Sequence, residues 1–207
     1  MTDAPALYVL FLAAGEGRRF GGPKLLRPHR GRPLVAYALD TIAQARADSL
    51  IEGGVAVIPG RHTALRQLAR DRGLRVVQNA EPDRGFSHSL QLGLRALDTL
   101  ELLPPPTAAL VTLGDQPRVP PVTIARLVDA WRAGAGPVVG PAYRSDRGPY
   151  YPFIVDRGSW PLVDELTGDA GAAEVLARHP ELVTTIEIDG INPDIDTPDD
   201  LAQLDGE

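Results

Sequence analysis

The chain has 207 residues, 43% of them hydrophobic, a formal net charge of −6 and no cysteine. That is enough apolar material for one substantial core, and it excludes disulfides and thiolate metal sites. An acidic balance with only 5% aromatic content argues against nucleic-acid binding through charge or base stacking.

No Ser/Gly-rich linker divides the sequence, so a single domain over 1–207 is expected. The first apolar run, Leu7-Tyr8-Val9-Leu10-Phe11-Leu12, has no positively charged segment before it and is too short to span a bilayer. A cytoplasmic protein with no membrane partner is expected. Six continuous apolar residues suit a central parallel strand covered on both faces.

After that strand come Ala13 and Ala14, then Gly15, Gly17, Gly21 and Gly22 within eight positions. Glycines there let backbone N–H groups approach a ligand without Cβ interference. From Glu16 to Arg32 there are six Lys/Arg against one acid, a local +5 in an acidic chain. The loop is suited to phosphate, yet two familiar phosphate loops do not fit. Pro23 and Leu25 break the Walker A pattern around Lys24, and Phe20 occupies the third small position of the dinucleotide fingerprint. Of the 21 Lys+Arg, 20 are Arg and one is Lys24. An ammonium on a flexible stem is a compact point charge able to follow a phosphoryl group, whereas arginine favours planar bidentate pairing.

Pro33 opens a helical stretch with Val35, Leu39 and Ile42 on one face. Val55–Ile58 reads as a second strand, an Arg-rich helix runs from His62 to Arg72, and Arg75–Gln78 reads as a third strand. This β-loop-α-β-α-β order predicts an α/β fold, a doubly wound and mostly parallel sheet flanked by helices, with ligands at the carboxyl ends of the strands. The next loop, Asn79 to Ser89, leads into a helix with Phe86, Leu90, Leu94 and Leu97 on its apolar face. Ser87 and Ser89 are candidates either for ligand contact or for simple capping of that helix.

Ala108–Leu113 is a further buried strand, and Gly114-Asp115-Gln116-Pro117 follows it. Asp115 is thereby a carboxylate at the ligand-binding edge, the kind of oxygen donor that Mg²⁺ combines with substrate phosphates. Ile124, Leu127, Val128 and Trp131 mark an amphipathic helix. Val138–Gly140 and Pro152–Val155 read as strands, Ala173–Arg178 as a helix and Thr184–Ile188 as the last strand. Thr197 as N-cap, Pro198 at the first helical position and acids in the first turn form a helix start. Asp194 and Asp196 lie before that cap and, in extended chain, point the same way.

Read together, Leu12-Ala13-Ala14-Gly15-x-Gly17 through Lys24, Asn79 with Gly85, Ser89 and Gly93, Leu113-x-Asp115-x-Pro117, Gly168-Asp169-x-Gly171-Ala172 and Asp194-Ile195-Asp196-Thr197-Pro198 resemble, in order, the motifs of nucleotidyltransferases with a Rossmann-like GT-A fold. The MobA-like branch that attaches a nucleotide to molybdopterin, and its molybdenum cofactor cytidylyltransferases in particular, is the nearest resemblance. It implies Mg²⁺ held by Asp115 and Asp196, with Asp194 as the alternative. Nucleotide contacts would come from Leu12, Ala13, Ala14, Gly15, Gly17, Arg18, Lys24, Asn79, Gly85 and Ser89, with Arg18, Lys24 and Asp115 catalytic. CTP is the implied donor, because Ala14 stands where guanylyl-transferring relatives tend to have glycine.

The acceptor side departs from the pattern. Where relatives carry Gly-His-Pro, this chain has Tyr150-Tyr151-Pro152, so Tyr151, Pro152 and Asp169 are the acceptor-side candidates. The expected partners are a nucleoside triphosphate, a phosphorylated acceptor such as molybdopterin, and a molybdoenzyme or its chaperone. A sugar or alcohol phosphate as acceptor, and a non-catalytic nucleotide-binding role serving a molybdoenzyme, remain as alternatives.

Overall fold

The fold is seen in a computed structural model that describes residues 5–13, 22–60, 62–143, 151–190, 192, 195 and 197–205. Leu7–Leu12 (β1) is buried along its whole length. It lies between Gly53–Pro59 (β4) and Ala108–Leu113 (β6) and runs parallel to both. Successive side chains of a strand point to opposite faces, and β1 feeds two cores in this way. Leu7, Val9 and Phe11 join the layer formed with Leu34–Ala47 (α1), Thr63–Asp71 (α2) and Pro121–Arg132 (α4). Tyr8, Leu10 and Leu12 face Phe86–Thr99 (α3), the 3-10 segment Arg157–Glu165 and Ala172–Arg178 (α5).

The remaining strands of the main sheet are Arg75–Asn79 (β5), Val138–Tyr143 (β7), Phe153–Asp156 (β8) and Val183–Ile188 (β9), giving the order β5-β4-β1-β6-β8-β7-β9. The sheet is α/β and mostly parallel, as the sequence pattern predicts. The exception is β8, antiparallel to both β6 and β7. Its reversal has a positional result. The start of β8, next to Tyr151 and Pro152, stands at the same edge as the carboxyl ends of the six strands that run the other way.

Between the glycine-rich loop and α1 the chain makes a small antiparallel ladder, Pro28–His29 (β2) with Arg32–Pro33 (β3). It is pinned to the helices through Asp40, which takes Arg72 Nε at 3.1 Å and Nη2 at 2.9 Å and also pairs with Arg32. Burial pushes the Asp40 carboxyl up, but the hydrogen bonds from the two guanidinium groups outweigh it and hold the group below its ordinary value. At the C-terminal end, Thr197 and Asp200 exchange hydrogen bonds at 2.7 and 3.2 Å, a capping box that opens Pro198–Asp205 (α6). Leu204 and Ile195 pack on Leu34, fastening this segment to the start of α1. Among the described residues, no helix is long and apolar enough to cross a membrane.

Helix α3 lies close against the sheet because Gly93 has no side chain. A Cβ there would come within 2.2 Å of Leu10 Cδ1 and 2.9 Å of Val57 Cγ2. Gly93→Ala is therefore expected to overpack this layer. The clash should cost about 1–3 kcal/mol, against about 1 kcal/mol of improved helix propensity, and the urea unfolding midpoint should fall. A midpoint equal to or above the parent's would show that Leu10 and Val57 yield freely.

Candidate active site

Segments from along most of the chain converge near the carboxyl edge of the sheet. β1 delivers Leu12 and Ala13, both buried, and Ala13 N donates to Val57 O at 3.0 Å, so the chain follows β4 for a residue beyond the strand. The glycine-rich loop then returns at Gly22 and enters a 3-10 turn over Lys24–Leu26. Leu25 is buried in the core, and this orients the turn with Lys24 toward β6. Lys24 Nζ meets Asp115 Oδ2 at 2.7 Å, with the two side chains 10% and 20% exposed. A lysine this buried requires a compensating charge, and Asp115 supplies it.

Asp115 is set by the strand before it. Gly114 N donates to Leu12 O at 2.9 Å, and a Cβ on Gly114 would press on Phe11 at 3.3 Å and Leu25 at 3.4 Å. On the other side Ile195 N donates to Asp115 O at 3.3 Å, which brings the C-terminal segment to the same place. As a hard oxygen donor at a partly open position, the carboxylate suits a divalent cation. Among the described residues there is no group of three or more His, Cys, Asp or Glu that could hold a metal. A cation at Asp115 would therefore take its other ligands from elsewhere, the usual manner of Mg²⁺ with water and substrate phosphates.

The loop after β5 is built around Asn79, which is fully buried. Its Nδ2 donates to Ser89 Oγ at 3.0 Å, and its Oδ1 accepts from Glu81 N at 2.9 Å. Beside it a cleft of about 310 Å³ is lined by Pro59, Gly60, His62, Gln78, Asn79, Ala80 and Pro82. That is at the lower end of the range for small-molecule pockets. Neither serine caps α3. Gly85 occupies the N-cap position with φ +92, Ser89 serves Asn79, and Ser87 donates to Gly168 O from both its backbone N (3.0 Å) and its hydroxyl (2.8 Å).

Gly85 approaches that same carbonyl so closely that a Cβ would lie 2.2 Å from it and 2.9 Å from Asp169 N. The Asn79–Ser89 loop and the Gly168-Asp169 turn, separate in sequence, thus touch. Asp169 itself is exposed, while Tyr151 and Pro152 are buried. The Tyr151 ring packs on Phe86 and Phe153, with centroids at 6.1 and 5.2 Å, and its carbonyl accepts from Asn192 Nδ2 at 3.1 Å. Tyr143, at the end of β7, has its phenol pushed up to about 12 by burial, against a weaker opposing contact with Asn192, and so stays neutral.

Of the residues singled out from sequence, the structure brings together Lys24 with Asp115, Asn79 with Ser89, and Gly85 with Asp169. Ala14, Gly15, Gly17, Arg18, Asp194 and Asp196 lie outside the described residues. Sequence reasoning missed Asn192 and the bridging role of Ser87. A polar residue aligned with the turn of a helix was the available signal at Ser87, but nothing local pointed to Gly168.

Removing the amide of Asn79 leaves Glu81 N and Ser89 Oγ without this partner inside the fold. Asn79→Ala is expected to lower stability by about 1–3 kcal/mol, read as a drop in the denaturation midpoint. No change would mean that water replaces both bonds.

Known proteins resemble this chain along nearly its whole length. The family model described as MobA-like NTP transferase domain matches residues 9–183. The nicotine blue oxidoreductase of Paenarthrobacter nicotinovorans is 32% identical over 98% of both chains. The crystal structure of Rv0371c from Mycobacterium tuberculosis H37Rv superposes over the full length of both chains with a TM-score of 0.83 and 29% identity. Its complex with manganese does so with a TM-score of 0.78 and 26% identity, over 99% of this chain and 100% of that one. With the family model matching residues 9–183 and a relative 32% identical over 98% of both chains, this chain belongs to the MobA-like NTP transferase family of nucleotidyltransferases.

Proposed function

We propose that residues 1–207 form a single domain that transfers CMP from CTP to a phosphorylated acceptor, molybdopterin being the favoured one, with release of pyrophosphate. The observation that carries this reading is the buried Lys24–Asp115 pair at the meeting point of the glycine-rich loop and β6. It sets a flexible cation and a metal-type carboxylate 2.7 Å apart, a pairing suited to a phosphate and its divalent cation.

An oxygen of the acceptor phosphate attacks the α-phosphorus in line, the new P–O bond forms, and the bond to the β-phosphate oxygen breaks with its electron pair leaving on pyrophosphate. The acceptor phosphate is already ionised at neutral pH, so positioning and charge neutralisation carry the rate and no strong base is required. Asp115 and Asp196, or Asp194 in its place, would hold a divalent cation, Mg²⁺ in this reading. When bound, that cation offsets charge on the triphosphate. The manganese complex of Rv0371c supports a divalent ion in this fold. Lys24 and Arg18 draw charge toward the leaving pyrophosphate. Asp169 is the exposed carboxylate on the acceptor side, with Tyr151 and Pro152 behind it. A molybdoenzyme or its chaperone would then receive the product.

A second reading comes from the 32% identity to nicotine blue oxidoreductase over nearly all of both chains. The two separate in one experiment. The protein is incubated with each of the four nucleoside triphosphates, Mg²⁺ and molybdopterin, and in parallel with nicotine blue and a reduced nicotinamide cofactor. Nucleotide-dependent pyrophosphate release supports the transferase; dye reduction without pyrophosphate release replaces it with the oxidoreductase.

Within the transferase reading, Asp115→Asn should abolish turnover while weakening nucleotide binding less, since the lost charge matters most as negative charge develops. Lys24→Arg and Lys24→Ala should each lose roughly a hundredfold or more, the usual effect of deleting one transition-state donor. A fully active Lys24→Arg would sink the argument from the single lysine.

Base choice is expected to reside in the first loop and in Asn79–Ser89, because phosphate and metal contacts see the same triphosphate in every nucleotide. In a closely packed pocket an alanine methyl at position 14 would exclude a purine where glycine leaves room, and unmatched polar groups on the wrong base would add to the penalty. The ratio of kcat/KM for CTP over GTP should exceed one in the parent and fall in Ala14→Gly. A parent that prefers GTP would overturn the cytidylyl assignment.

A further inference from the structure

Helix α3 runs from the carboxyl edge of the sheet to the opposite edge, and the chain from Arg157 to Gly171 retraces it in the other direction. Arg157 pairs with Asp98, and Arg95 with Asp164 at 3.0 Å. Gln91 Nε2 donates to the carbonyls of Val163 at 2.9 Å and Leu166 at 3.1 Å. At the top, Ser87 makes its two bonds to Gly168 O. The ion pairs at the far end are exposed and hold little. Ser87 is only 3% exposed, so its end of these bonds is better shielded from competing water than the ion pairs are.

The turn that Ser87 holds has little else beneath it. Thr167, Gly168 and Asp169 are all exposed, and a Cβ on Gly168 would meet nothing within 4 Å. The turn closes on itself through Ala170 N to Thr167 O at 3.2 Å, but that bond does not fix it to the body of the protein. Its two ends are fixed by the buried Leu166, whose carbonyl Gln91 holds, and by Ala170 and Gly171 packed near the core and Phe86; Gly168 between them is held by Ser87 and by the close approach of Gly85.

We propose that Ser87 is a positioning residue that couples the nucleotide loop to the acceptor turn, so that ordering of Asn79–Ser89 by a bound nucleotide is passed through Gly168 to Asp169. The proposal rests on the transferase reading above. The physical route is short: Ser87 is the second residue of α3, Asn79 grips the same helix at Ser89, and the carbonyl held by Ser87 directly precedes Asp169. A ligand that restricts the start of α3 therefore restricts the turn as well. The second substrate then finds part of the ordering already done, which is positive coupling without a large displacement. By linkage, an acceptor bound at the turn favours nucleotide binding to the same degree.

Hydrogen–deuterium exchange with mass spectrometry on the full chain tests this, with and without CTP and Mg²⁺, in the parent, Ser87→Ala and Ser87→Thr. In the parent the nucleotide should slow exchange across 79–89 and also, by about fivefold or more, across 166–171. Ser87→Ala, which removes the hydroxyl bond and leaves the backbone one, should keep the first effect and weaken the second, and Ser87→Thr, which retains the hydroxyl, should recover it. Protection at 79–89 without protection at 166–171 in the parent overturns the coupling and leaves the nucleotide reading standing. Protection at 166–171 that persists undiminished in Ser87→Ala overturns the role of the Ser87 hydroxyl. No protection anywhere removes the nucleotide reading and the coupling with it.

Discussion

The in-register parallel pairing of β1 with β6, ending at Leu12 beside Leu113, is the constraint on which the rest of the site depends. It makes two chain segments about a hundred residues apart leave the sheet side by side. Gly114 then bonds Leu12, Leu25 is buried in the same core as Phe11, and Lys24 sets its charge against Asp115. Shifting the register by one residue would turn Leu10 and Leu12 to the wrong layer. The alternating burial on two covered faces therefore fixes the ligand geometry and the core together.

Lys24 and Asp115 also show how the protein keeps a charged site stable without its ligands. Each would pay a large desolvation penalty alone, and together they neutralise one another at 2.7 Å. An arginine, used at every other cationic position in the chain, has a wider and more rigid head that fits this enclosed corner poorly.

Much of the parallel half was legible in the sequence, because its signals are local. An unbroken apolar run marks a strand covered on both faces, Gly-Asp after β6 marks a strand end at the ligand edge, and Thr197 with Pro198 marks a helix start. What stayed hidden depends on partners far along the chain. Ser87 and Ser89 look like caps in isolation, and only the fold reveals that one serves Gly168 and the other Asn79. The direction of β8 was equally invisible, since four apolar or half-buried residues read the same in either orientation. Tyr151 stood in sequence where relatives place a polar side chain, but Phe86 and Phe153 enclose its ring.

The reversed strand has an evolutionary consequence. β7 and β8 meet through two residue pairs, Val138 with Val155 and Val139 with Ile154, and the two anchors of their connection, Tyr143 and Tyr151, stand at the ligand edge. A lineage that rewrites the sequence of that connection leaves the residues of β1, β4 and β6, and with them the glycine-rich loop and the aspartate, unchanged. Such a scaffold holds its chemistry constant while its choice of second substrate drifts. A single fold can then accumulate descendants under names as different as a transferase domain and an oxidoreductase.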